Sequence, residues 1–104
     1  VNEMGVNAIV MPPGVGSGTH WHERKEEVYF VHQGTVRFTL GEGGQETITL
    51  GPGGVLRVDA STRRSMANPG DVDAIYVCFG AQGGYVGRDG QHLEGQPRVT
   101  TIER

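Results

Sequence analysis

The stretch Gly14–Gly34, which reads GVGSGTHWHERKEEVYFVHQG, decides what the rest of the chain has to form. In an extended chain, residues i and i+2 point to the same face, so His20 and His22 project together while Trp21 points away. Glu27 stands on the apolar run that follows and can bring an oxygen to the same place where the chain folds back. Two imidazoles and one carboxylate are the smallest protein ligand set for a transition metal with open coordination positions. The stretch therefore predicts a metal site.

Short apolar runs separated by glycine and proline turns make up the rest of the chain. About seven or eight such runs recur at intervals of about 8–12 residues, a spacing typical of β-sandwiches and barrels. No long segment shows the apolar periodicity of a helix. We predict an all-β fold, followed beyond Gly80 by a weakly structured polar tail. Apart from the histidine pair itself, the predicted strands are 6–11, 26–32, 35–40, 45–50, 55–58, 63–68 and 73–79.

The strand that carries Glu27 has apolar residues on both of its faces. If Glu27 faces the interior, the period of two places Tyr29 and Val31 on the same side, and Val28 and Phe30 on the other. A strand of this kind is covered on both sides. We expect a partner subunit to provide one of these covers.

Composition limits the size of the core and the kind of partner. With 104 residues, of which 36% are hydrophobic and 18 are glycine, the chain forms one domain with modest burial, and we expect a homodimer. The net charge is −3, and the nine basic residues are scattered, so nucleic-acid binding is not expected. Cys78 is the single cysteine, which excludes an internal disulfide. No stretch approaches a membrane span or a signal peptide, so we expect a cytoplasmic protein that binds a small molecule and no membrane.

The spacing around the histidines resembles a known motif. Gly14, five residues, His20-x-His22, four residues, Glu27, six residues and Gly34 is similar to the first motif of the cupin superfamily, and all five signature positions match. The resemblance implies a cupin-type jelly-roll β-barrel, usually dimeric, with a metal inside its mouth in the enzymatic members.

The second cupin motif is matched only in part. Gly53 and Asn68 stand where the family has its glycine and asparagine, whereas Arg64 occupies the position of the fourth metal ligand, which is normally histidine. The resemblance covers roughly residues 6–79. It implies that residues 1–104 are a single cupin domain, with a core at about 6–80 and a polar C-terminal tail at about 81–104.

Arg64 changes what the site can do, because a protonated guanidinium offers no lone pair to a metal. In one alternative, His20, His22 and Glu27 hold a divalent transition metal (Fe, Mn, Ni or Zn) without a fourth ligand. Arg64 then binds an anionic or carbonyl substrate in bidentate fashion. In a second, Arg64 pairs with Glu27 and the barrel is a metal-free pocket. In a third, Arg64 points outward or is shifted in register, and another side chain completes the metal shell, the candidates being Glu23, Glu26 and His32.

Three functions follow from these alternatives. The first is a metal-dependent small-molecule enzyme, an oxygenase or isomerase, in which Arg64, Tyr29 and Met66 bind the substrate. The second is a metal-free ligand-binding or sensor domain without catalysis, and the third is a structural role in which the barrel is only a dimer scaffold. In each, Cys78 is predicted to be an ordinary buried small hydrophobic residue.

Overall fold

The computed structural model describes residues 5–22, 26–81, 90–92 and 101–103. Its described part contains strands and turns but no helix, so the predicted all-β fold is confirmed, and nothing in that part is a helix long and apolar enough to cross a membrane. The strands are β1 (Gly5–Met11), β2 (His20–His22), β3 (Glu26–Gln33), β4 (Val36–Leu40), β5 (Glu46–Leu50), β6 (Val55–Val58), β7 (Arg64–Ala67), β8 (Ala74–Ala81), β9 (Gly90–His92) and β10 (Thr101–Glu103).

The strands form two five-stranded sheets whose neighbouring strands are all antiparallel. The first sheet has the order β10-β1-β8-β3-β6, and the second has the order β5-β4-β7-β2-β9. Strands that follow one another in the sequence therefore often lie in different sheets, as in a jelly-roll topology. The inner faces of the two sheets enclose the core, and the predicted site residues come from both of them.

Two short strands, β9 and β10, lie in the segment predicted to be a weakly structured polar tail. β9 pairs with β2, and β10 pairs with β1, so each extends one edge of a sheet. Neither segment has a strand-like apolar pattern. Each is held in its sheet by backbone pairing with a strand far away in the sequence.

Alternation along β3 is as predicted. Glu27, Tyr29 and Val31 are buried, whereas Val28 and Phe30 are only half-buried on the opposite face. The buried side meets a cluster of three aromatic rings, in which the Tyr29 ring lies 5.2 Å from that of Phe38 and 6.0 Å from that of Tyr76. This cluster packs in the core beneath Glu27, whose carboxylate accepts a hydrogen bond from the Tyr29 hydroxyl.

The outer face of the first sheet is apolar across four strands. Phe30 lies between Val55 of β6 and Val77 of β8, and Val77 in turn pairs with Ala8 of β1. A second row in the same register runs from Val28 through Phe79 to Val6. We call this surface the outer apolar face; its members are Val6, Ala8, Val10, Val28, Phe30, Val55, Ile75, Val77 and Phe79.

Candidate functional site

Glu27 is the buried carboxylate at the centre of the site. Its residue is 6% exposed, and its two oxygens accept hydrogen bonds from different strands. The Tyr29 hydroxyl donates to Oε1 at 2.5 Å, and the Cys78 thiol donates to Oε2 at 3.1 Å. Tyr29 and Cys78 are direct partners in the β3–β8 register, so the pairing of these strands delivers both donors to one carboxylate. A buried carboxylate needs such partners, because desolvation without them is costly.

His20 approaches the same carboxylate from the second sheet. Its Nε2 lies 3.8 Å from Oε1 of Glu27. Two ligands of one metal, each bonded at about 2.0–2.2 Å, are separated by at most about 4.4 Å, and the spacing between His20 and Glu27 lies within this limit. His22 lies in the same short strand, but its side chain is outside the described part of the structure. Among the described side chains, no group of three His, Cys, Asp or Glu residues is arranged around a metal position.

Arg64 faces the interior and is fully buried. Its NH2 donates to the carbonyl of Asp59 at 2.7 Å, and its NH1 donates to the carbonyl of Ala60 at 3.4 Å. Its Nε has no hydrogen-bond partner. Arg64 is also the direct register partner of His20. The guanidinium is thus tethered to the loop between β6 and β7, opposite Glu27.

These positions bear on two of the three alternatives for Arg64. The described side chains form no ion pair between Arg64 and Glu27, since the guanidinium is engaged by carbonyls. Arg64 does not point outward either. Of the three residues considered as replacement ligands, Glu26 pairs with Arg57, His32 is exposed, and Glu23 lies outside the described residues.

Tyr29 is held as a hydrogen-bond donor by its surroundings. Burial raises the pKa of its hydroxyl well above the ordinary value, and the neighbouring Cys78 and Glu27 raise this pKa further, while the Arg64 cation acts in the opposite direction. Burial, with Cys78 and Glu27 again adding to it, also raises the pKa of Tyr76. Both hydroxyls therefore keep their protons at neutral pH.

Met66, a predicted pocket residue, is buried in the hydrophobic core. Its backbone N–H donates to the Ser17 hydroxyl at 2.9 Å, which ties the loop before the histidines to β7. Cys78 was predicted to be an ordinary hydrophobic residue, but its thiol touches Glu27. The contact between Cys78 and Glu27 depends on the register between β3 and β8. Since the sequence does not specify this register, it gives no signal for the contact.

A barrel of two antiparallel sheets whose interior holds a histidine, a glutamate and a buried arginine places the chain among the jelly-roll β-barrel proteins. The chain belongs to the cupin family, because the family model for the cupin domain matches residues 7–80.

Solved structures with the same fold include three that differ in size and origin. An uncharacterised protein with a double-stranded β-helix domain from Klebsiella pneumoniae is 21% identical, with a TM-score of 0.77 over 90% of this chain and 77% of that one. A predicted oxalate decarboxylase from Thermotoga maritima is 25% identical, with a TM-score of 0.67 over 74% of this chain and 64% of that one. The DMSP lyase DddQ from Ruegeria pomeroyi is 22% identical, with a TM-score of 0.75 over 91% of this chain and 46% of that one. No curated protein sequence matches the chain.

Proposed function

We propose that this cupin is a metal-dependent small-molecule enzyme, an oxygenase or isomerase, that acts on an anionic or carbonyl-bearing substrate. The observation that supports it most is the buried Glu27 carboxylate, with the His20 imidazole 3.8 Å from its Oε1. A tethered, fully buried arginine stands on the opposite sheet. Similarity to a predicted oxalate decarboxylase agrees with a small anionic substrate.

The metal ligands in this proposal are His20, His22 and Glu27. Imidazole and carboxylate donors suit Fe, Mn, Ni or Zn. A metal of this kind, when bound, polarises a carbonyl or carboxylate oxygen of the substrate as a Lewis acid.

The remaining residues bind and orient. Arg64 attracts the anionic end of the substrate, and its position is fixed because two backbone carbonyls hold its terminal nitrogens. Tyr29 and Cys78 fix the Glu27 carboxylate from both sides. The hydrophobic cluster beneath the carboxylate excludes water from the floor of the site, which strengthens each polar interaction above it.

Metal content tests the proposal. Protein purified without a chelator is expected to contain about one equivalent of a transition metal, and a His20→Ala variant is expected to lose nearly all of it, because two protein ligands bind far more weakly than three. Elemental analysis by mass spectrometry measures both. His32→Ala is the matched control, since His32 is exposed and its loss leaves metal content unchanged. Wild-type protein that takes up no divalent ion after dialysis against each of the four metals contradicts the proposal.

A metal-free ligand-binding domain is the second candidate. It is favoured by the two hydrogen bonds that Tyr29 and Cys78 donate to Glu27, because a carboxylate partnered in this way is stable without a cation. It also fits a buried Arg64 that attracts an anion. The same elemental analysis separates the candidates, since this one expects neither wild-type protein nor His20→Ala to hold metal.

A second copy of the chain is the proposed cover of the outer apolar face. Four strands spaced about 4.8 Å apart and about seven residues long give a sheet face of about 440 Å². Two such faces together bury about 900 Å², which is close to the roughly 1,000 Å² of a small specific interface. The polar pair Glu26–Arg57 lies at the β6 edge of this face, as expected of an interface rim.

Charge at the centre of the outer apolar face is expected to prevent this dimer. Phe30→Lys places an ammonium between Val55 and Val77 on each copy, and burying two such charges costs more than the apolar contact supplies. Light scattering coupled to size-exclusion chromatography is expected to give a dimer for wild-type protein and a monomer for the variant. Thr49→Lys, at an exposed position of the other sheet, serves as the control and remains dimeric. A wild-type monomer, or a dimeric Phe30→Lys variant, rules out this interface.

A further inference from the structure

Among the side chains that the structure describes, three polar atoms are buried inside the barrel without a hydrogen-bond partner. They are Oδ1 of Asn7, the hydroxyl of Tyr76 and Nε of Arg64. Folded proteins satisfy the great majority of their buried polar groups, since an unsatisfied group keeps its desolvation penalty without compensation. Three such atoms in one small barrel therefore require an explanation.

Two of the three groups line the first sheet beside Glu27. Asn7 is the register partner of Cys78, whose thiol donates to Glu27. Tyr76 lies two residues before Cys78 on the same inward face of β8 and packs its ring 6.0 Å from that of Tyr29, the second donor to Glu27. Each group thus neighbours a residue that donates a hydrogen bond to the Glu27 carboxylate.

The third group lies on the second sheet. Arg64 is the register partner of His20, whose imidazole is 3.8 Å from Glu27. Its two terminal nitrogens each donate to a backbone carbonyl, whereas its Nε–H has no acceptor. The unsatisfied atoms therefore belong to the two walls that flank Glu27.

The chemistry of these atoms specifies a ligand. Arg64 Nε–H is a cationic donor and favours a carboxylate oxygen. Asn7 Oδ1 accepts only, and the Tyr76 hydroxyl both donates and accepts, so the pair suits a neutral group that donates and accepts in turn. An alcohol has these properties.

We propose that Asn7 and Tyr76 form a hydroxyl-binding subsite, and that the ligand of this protein is a short hydroxycarboxylic acid whose carboxylate faces Arg64. The inference rests on the proposed function in placing the ligand beside Glu27. It adds the substrate class and two specificity-determining residues. Neither residue is a predicted site residue.

The thermal stability of the ligand-free protein shows whether the Tyr76 hydroxyl serves ligand binding or folding. Tyr76→Phe removes a buried hydroxyl that has no partner, so the melting temperature of the ligand-free variant is expected to equal or exceed that of wild-type protein. Tyr29→Phe is the matched control, because it removes a hydroxyl that donates to Glu27. Its melting temperature is expected to fall by about 5 °C, the shift of a lost buried hydrogen bond in a domain of this size.

Ligand discrimination completes the test. Malate and succinate share a carbon skeleton and differ by one hydroxyl, and isothermal titration calorimetry on metal-loaded wild-type protein is expected to show malate binding at least tenfold more tightly. In Tyr76→Phe the ratio is expected to fall to within threefold. Asn7→Ala is the second variant and loses the same preference, so the inference remains testable if Tyr76→Phe does not fold.

Any of the following results overturns the inference. Equal affinities in wild-type protein, or binding of neither acid, exclude a hydroxyl subsite, and the metal content measured on the same sample then decides the proposed function separately. A Tyr76→Phe variant that melts as far below wild-type protein as Tyr29→Phe shows that the Tyr76 hydroxyl serves folding. An unchanged malate preference in both variants shows that neither residue reads the hydroxyl.

Discussion

Replacing Gly34 with alanine is expected to lower the free energy of unfolding by about 3 kcal/mol or more, which is among the larger effects of a single substitution. Gly34 has a φ of +73°, in the left-handed region that costs roughly 1–2 kcal/mol for a residue with a Cβ atom. A Cβ there would also lie 2.7 Å from the Asp73 carbonyl oxygen and 2.9 Å from the Ala74 Cα. Both are backbone atoms at the start of β8, so the clash cannot be relieved by a side-chain rotation.

Urea unfolding followed by circular dichroism measures this loss. Gly51→Ala is the matched control, because Gly51 is an exposed turn glycine with nothing within 4 Å of the added Cβ, and its effect is expected to stay within about 0.5 kcal/mol. A loss below about 1 kcal/mol for Gly34→Ala would show that the β3–β4 turn shifts freely relative to β8. In that case the close approach of the two segments does not constrain the fold.

Local periodicity was enough to predict which face of β3 points into the core. Since side chains alternate along a strand, the position of Glu27 fixed Tyr29 and Val31 on the same side, and all three are buried. The glycine and proline turns around these runs set the strand limits for the same local reason. These features depend on neighbours in the sequence, which is why the sequence contains them.

Contacts across the sheets could not be predicted in this way. The Cys78–Glu27 contact depends on the register between β3 and β8, two strands about 50 residues apart, and this register shifts between Val31 and Gln33. A one-residue slip in pairing changes every cross-strand neighbour.

Arg64 shows a second reason for the limit. The sequence suggested side-chain partners for its charge, whereas the acceptors are the backbone carbonyls of Asp59 and Ala60. Every residue carries a backbone carbonyl, so no residue pattern distinguishes the two that Arg64 finds.

Replacing Arg64 with histidine is expected to increase affinity for a transition metal by at least about 100-fold, or about 2.7 kcal/mol. The substitution removes a fixed positive charge from the barrel, where a like-charge pair at 4 Å costs about 4 kcal/mol at an effective dielectric constant near 20. It also adds an imidazole at the register partner of His20, which supplies a fourth ligand. Competition with a chromophoric chelator measures the affinity of both proteins.

Arg64→Gln separates the two causes of this gain. Both variants remove the donors to the Asp59 and Ala60 carbonyls, so they share the resulting loss of stability, but only histidine supplies a nitrogen ligand. If repulsion alone limits the wild-type site, glutamine gives most of the gain; if the missing ligand limits it, glutamine leaves affinity close to the wild-type value. An Arg64→His variant that binds metal no better than wild-type protein would mean that position 64 does not face the metal. Arg64 would then neither repel the metal nor occupy a ligand position. Its positive charge would act only on the anionic substrate.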